Sequence, residues 1–374
     1  MVISRTPFRI SFFGGGTDYP AWYRQHGGSV LAATIDKYCY LTCRYLPPFF
    51  EHRIRVVYSK MEHCQSMDEI EHPAVRAILR YLQSARGLEI HHDGDLPGRS
   101  GMGSSSAFTV GLLHALRALE GKMTSKHQLA VESIHIEQDI LRETVGSQDQ
   151  VAAAYGGLNQ IQFLPSGDVS VHPVILPPER LRELNDHLLL FYTGIKRTAS
   201  AIAISYVTSI EAKSGPLSRM RDLVERSCGV LYEAKDLTVF GNLLHESWLA
   251  KRSLSNQVSN ARVDALYQKA LTSGAIGGKL LGAGGGGFLL VFAPPRRQAA
   301  IRQALNHLIH VPFHFEFTGS QIIFFDPEED FMEQELVRVQ QSIGAFSELT
   351  PALAAPDPSA SPLSPPTDPP PSSP

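Results

Sequence analysis

Two acidic residues near the middle of the chain, Glu137 and Asp149, lie in "ESIHIEQDILRETVGSQDQ", 149 minus 137 or 12 positions apart, with Gly146 between them as a break. Upstream stands "RSGMGSSSAFTVGLLHAL", where glycines and serines lead straight into an apolar repeat of helical spacing. A helix start presents unpaired N–H groups and partial positive charge, and glycines before it let a bulky anion reach the backbone. A polyphosphate fits that description. Ser104, Ser105 and Ser106 can cap the helix, and a hydroxyl there can also sit on a magnesium ion that bridges phosphates. Phosphoryl transfer needs one carboxylate to hold Mg²⁺ and another near the attacking hydroxyl, which makes Glu137 and Asp149 candidates. The plainer alternatives are a glycine-rich turn with a serine cap and two surface acids.

A second stretch, "RTPFRISFFGGGTDYPAWY", places Arg5 and Arg9 on a strand and then Thr17, Asp18 and Tyr19 after three glycines. A short loop ending in a carboxylate among aromatics suits a sugar, although an Asp capping its own turn reads the same way. Two familiar motifs fail. Gly98 to Gly103 has P-loop spacing, but Ser104 and Ser105 stand where Lys and Ser or Thr are needed. Gly282, Gly284 and Gly287 match GxGxxG, yet a strand pattern follows where a dinucleotide site must open a helix. Four consecutive glycines after "LLGA" suit a backbone wall along a site or a close crossing of backbones.

These residues need a scaffold. At 374 residues, 43% hydrophobic and 19% charged with a formal net charge of -3, the chain has the length for two domains and no electrostatic case for nucleic acid or an anionic membrane. Its four cysteines fit neither a disulfide framework nor a paired zinc site, and Cys39 and Cys43 read as strand core. No long apolar run occurs, and the expected location is cytoplasmic. Residues 2–13 and 29–45 read as strands, 88 onward as a strand entering the glycine loop, and 105–119 and 126 to about 143 as helices. Strands are expected again at Leu188 to Tyr192, Phe288 to Phe292 and Ile322 to Phe325, with helices over 200–273 broken at Gly215 and Pro216. This mixed α and β pattern has a boundary near 165–185, and everything beyond about Leu349, rich in Pro and Ser, reads as a disordered tail.

The pieces occur in a telling order. "TPFRISFFGGGTDY" resembles the first motif of the GHMP small-molecule kinases, "LPGRSGMGSSSA" their phosphate-loop motif and "KLLGAGGGGFLLVF" their glycine-rich third motif, over about residues 3–330. The resemblance implies a two-domain α+β fold. Residues 1–175 would be the ribosomal-S5-like ATP-binding domain, 176–348 a ferredoxin-like α+β domain, and 349–374 the tail. It further implies ATP and Mg²⁺, with phosphates on Gly101, Gly103, Ser104, Ser105 and Ser106, the metal on Ser105 and Glu137, Asp149 as base and Arg9 near the reacting oxygen. Asp18, Thr17, Gly15, Gly16, Gly284 and Gly285 would meet the substrate. Gly15 and Gly16 stand where the galactokinase-type motif has Glu and His. Within the family, these stretches are most similar to members that phosphorylate the anomeric hydroxyl of a heptose 7-phosphate, with fucokinase domains next. A phosphorylated substrate calls for a cationic anchor, for which Lys196 and Arg197 stand first, then Arg24 and Arg99. The expected partners are a sugar phosphate and ATP, the chain being a monomer or homodimer. A sugar sensor that binds ATP without turnover is the other class, against which the intact Ser105, Glu137 and Asp149 speak.

Overall fold

The computed structural model describes residues 1–195, 199–233, 236–327 and 330–341. Lys196, Arg197 and the Pro/Ser-rich tail lie outside the described residues. Two β-branched and aromatic stretches form the frame: strands Val2–Phe13 and Gly28–Tyr45 pair antiparallel, from Val2 opposite Cys43 to Phe13 opposite Leu31. The second strand is long enough to serve three further partners in succession. Its first part pairs with Leu158–Phe163 and its last with Leu88–Gly94. Ile54–Val57 lies parallel to Leu88–Gly94, as a crossover through helix Pro73–Tyr81 allows.

The chain returns to this sheet near its end. Strand Gln321–Phe325 pairs with Val2–Phe13, and Phe315–Glu316 with Gly28–Tyr45, completing nine strands among the described residues. A second, antiparallel sheet runs Ile309–His310, Leu188–Tyr192, Phe288–Phe292, Gly277–Leu280. Its apolar runs Leu188–Phe191 and Phe288–Phe292 are buried, and helices Leu237–Arg252 and Ala261–Thr272 pack on its strand Gly277–Leu280.

Helix Ser104–Leu119 packs on the first two strands and buries nearly every residue from Ser106 to Leu116, which explains its apolar composition. The helix expected to reach Glu143 is shorter. Lys126–His135 is α-helical, and Ile136–Ile140 then widens into a π turn in which the Leu141 N–H donates to the Ile136 carbonyl at 2.9 Å. Gly215 and Pro216 do not break a helix. They occupy the first turn of Ser214–Tyr232, where proline's missing N–H is no loss.

Phe240, on helix Leu237–Arg252, joins the two halves. Its ring centroid lies 5.7 Å from Phe12 and 5.1 Å from Phe13 of the first strand, and 5.7 Å from Phe292 of the second sheet. Being fully buried, the ring has no solvent-filled alternative. Phe240→Ala is expected to cost about 3–5 kcal/mol of stability, read as a lowered midpoint in urea unfolding.

Candidate active site

A cleft opens where the start of helix Ser104–Leu119, the glycine loop after Phe13 and the glycine cluster after Leu280 meet. At its centre stands Arg9, on a strand flanked by helices and only 4% exposed. Its Nε and Nη2 donate to the two carboxylate oxygens of Asp149, both at 2.7 Å, and its Nη1 donates to the Gly101 carbonyl at 2.7 Å. The planar guanidinium matches the carboxylate fork, so one side chain fixes the orientation of Asp149 and the position of the glycine loop.

The helix beyond that loop starts bare. Its N-cap is Gly103, at φ 74°, and no side chain caps it. The expected serine cap is therefore absent: Ser104 Oγ accepts from the Arg99 N–H at 3.1 Å, and Ser106 Oγ donates to Glu137 at 3.0 Å. Ser105 is exposed at the cleft. An uncapped helix start facing a cleft is a site for an anion.

Glu137 sits in the π turn at 1% exposure. One oxygen accepts from Ser106 and from Gln150 Nε2 at 2.6 Å, while Oε1 is buried with no partner among the described residues. Burial pushes its pKa from 4.5 up to about 7, opposed by the hydroxyls of Thr109 and Ser106 and the Gln150 amide. A buried carboxylate with one spare oxygen, beneath an exposed serine and a helix start, suits a hard divalent cation. Among the described residues no group of three or more His, Cys, Asp and Glu converges. The remaining ligands would thus have to come from serine, substrate or water.

Asp18 is 1% exposed and spends its carboxylate on the protein. It accepts from the Gly16 N–H at 2.8 Å and from Gln148 Nε2 at 2.9 Å, and a Cβ on Gly146 would fall 1.9 Å from Oδ2. Burial, with Asp149 nearby, raises its pKa. Gly15 and Gly16 line the cleft with it.

Two domain models match the chain: "GHMP kinases N terminal domain" over residues 70–157 and "GHMP kinases C terminal" over 222–310. The chain belongs to the GHMP kinases. It is 28% identical over 332 residues to the D-glycero-alpha-D-manno-heptose 7-phosphate kinase of Campylobacter jejuni, covering 84% of this chain and 96% of that protein. Against the bifunctional fucokinase/GDP-fucose pyrophosphorylase of Arabidopsis thaliana it is 26% identical over 80% of its length, spanning 30% of that longer protein. The crystal structure of a D-glycero-D-manno-heptose 1-phosphate kinase from Bacteroides thetaiotaomicron superposes with a TM-score of 0.71 at 25% identity, over 87% of this chain and all of that one. As a GHMP kinase it is a phosphotransferase acting on an alcohol group, with ATP as donor.

Several expected residues of this GHMP kinase fall elsewhere than anticipated. Thr17 does not reach the cleft: its hydroxyl donates to the Gly14 carbonyl at 2.8 Å and accepts from the Ser29 N–H at 3.1 Å, holding the loop together. Gly284 and Gly285 pack on Val258, whose carbonyl accepts from the Gly285 N–H at 2.7 Å, and Gly282 and Ala283 line the cleft instead. Gly282 and Gly287 are backbone crossings: a Cβ would lie 2.5 Å from Gly101 Cα and 2.1 Å from the Ser100 carbonyl, respectively. Arg99 lines the cleft, whereas Arg24 faces a different surface groove. Gln148, Gln150, Lys251 and Lys279 went unnoticed in the sequence. A charged residue inside the apolar strand run "GGKLL" was the available signal for the last.

The raised Glu137 pKa carries a sign. The unfolded chain ionises this group near 4.5 and the folded one only near 7, so folding is increasingly opposed as pH rises between the two, and fully so above. In metal-free buffer Glu137→Gln should melt above the parent at pH 8, the gap closing as pH falls toward 4.5. Mg·ATP should stabilise the parent more than the variant, as differential scanning fluorimetry would show.

Proposed function

We propose that this GHMP kinase is a sugar kinase that transfers the γ-phosphoryl group of ATP to the anomeric hydroxyl of D-glycero-α-D-manno-heptose 7-phosphate, giving the 1,7-bisphosphate. The observation that carries the reading is the forked Arg9–Asp149 pair beside an uncapped helix start. It supplies an oriented carboxylate and an anion site in one cleft. Likeness along 84% of the chain to a heptose 7-phosphate kinase supports the substrate.

In this mechanism the phosphates of ATP lie against the backbone of Gly101 to Ser106, where the unpaired N–H groups of the helix start bind oxygen. Ser105 and Glu137 would hold Mg²⁺. When bound, the ion offsets negative charge on the phosphates and helps align them. Asp149 accepts the proton of the attacking hydroxyl, its oxygens being held in place by Arg9 and retaining lone pairs. The Arg9 charge also favours build-up of negative charge on the transferred group. Asp18 holds Gly16 and Gln148 and so shapes the floor on which the sugar rests.

Purified protein is assayed for ATP consumption with the heptose 7-phosphate, L-fucose, galactose and mannose, and any product is read by phosphorus NMR. Selective conversion of the heptose phosphate to a 1,7-bisphosphate is expected; turnover of free fucose instead would move the substrate, and no turnover would refute the kinase reaction proposed here. Asp149→Asn should lower kcat by about 10²–10⁴ while ATP affinity stays within a few-fold, as titration with a non-hydrolysable analogue would show.

A further inference from the structure

Lys279 is a charged residue in the middle of a buried strand, Gly277–Leu280, and it is 1% exposed. Its Nζ donates to the carbonyl of Phe12 at 2.8 Å, so a side chain from the second sheet reaches the first strand just before the glycine loop. It lines the same cleft as Arg9, Asp149 and Ser105.

An ammonium carries three donors, and the Phe12 carbonyl uses one. No other partner of Lys279 is found among the described residues, and it takes part in no ion pair there. A buried cation held by one neutral carbonyl is costly unless something of opposite charge compensates it. The charges around it do not do so within the protein. Arg9, from the first strand, is of like sign and has the larger influence; Asp18, from the loop that follows, opposes it. The other charged groups of the cleft are Asp149, already held by Arg9, Arg99, from the phosphate loop, and Lys251, from helix Leu237–Arg252, whose Nζ donates to the Leu280 and Gly282 carbonyls. Lys279 thus shares the cleft with three other cations, and its own ammonium pairs with no carboxylate among the described residues.

We propose that Lys279 is a further catalytic residue of this kinase, its spare N–H donors binding oxygens of the phosphoryl group in transit opposite Arg9. The assignment rests on the phosphotransferase reading of the cleft. It completes an arrangement in which the transferred group, whose charge is spread over three oxygens, meets a cation from each half of the molecule. Burial and Arg9 together hold the ammonium pKa down, from 10.5 to about 7. At pH 8 much of the population is therefore neutral in the resting protein, and an arriving anion draws a proton onto it.

The test is calorimetric titration of Mg·AMP-PNP into the full chain at pH 8, in buffers of differing ionisation enthalpy, alongside steady-state kinetics. Proton uptake on binding is expected in the parent and should vanish in Lys279→Met. The same variant should lose about 10²–10³ in kcat with the KM for ATP changed only a few-fold, while Lys279→Arg recovers part of kcat. Uptake that persists in Lys279→Met, or a kcat left within a few-fold, would reduce the residue to a strut between the sheets. If the variant does not fold, absence of uptake in the parent alone overturns the proposal. Uptake through Lys279 in a protein that phosphorylates none of the sugars tested would uphold its contact with the bound phosphates and overturn the proposed sugar substrates instead.

Discussion

Three of the donors on Arg9 are committed to the protein, two to Asp149 and one to the Gly101 carbonyl, and the rest of the cleft depends on that commitment. The guanidinium sits on the first strand of the large sheet, the carboxylate at the start of helix Gln148–Tyr155, and the carbonyl in the loop that opens helix Ser104–Leu119. Three elements distant in sequence are thereby fixed by one planar group whose geometry tolerates little rotation. A lysine in its place would keep the charge and lose the fork.

A second constraint is purely steric. The phosphate loop and the third glycine cluster touch backbone to backbone, at Gly101 with Gly282 and at Ser100 with Gly287. Added Cβ atoms there would overlap main chain, which cannot swing aside as a side chain can. The glycines after Leu280 thus serve mainly to bring the second sheet against the helix start, and only Gly282 and its neighbour Ala283 also form cleft wall. Of the two readings left open for the four consecutive glycines 284–287, close crossing applies, at Gly284, Gly286 and Gly287, and none of the four lines the cleft.

Much of the frame was legible because it follows local rules. Val2–Phe13, Leu188–Tyr192 and Phe288–Phe292 are where apolar and β-branched runs said they would be, and helix Ser104–Leu119 starts within one residue of its expected place. Local rules miss what tertiary contacts decide. The helix through Glu137 keeps helical spacing in its sequence, yet it widens at Ile136, and the carboxylate there turns onto Ser106 and Gln150. Thr17 and Asp18 have the residue types of a sugar site, but hydrogen bonds to Ser29 and Gln148, 12 and 130 positions away, show what holds them. Resemblance located the motifs; the division of labour among adjacent serines, or among adjacent glycines, came only from which atoms meet.

One feature of the large sheet bears on how the molecule is made. Its edge beside Val2–Phe13 is covered by Gln321–Phe325, with Val2 opposite Phe325 and Met1 bonded to Asp326 in both directions. Val2–Phe13 therefore waits for a strand made much later in the chain before its hydrogen bonds are complete. Pairings of such long sequence separation form slowly, and until they do an apolar strand edge stays open to other chains. Shielding of this edge during synthesis therefore depends on residues made much later than the strand they cover.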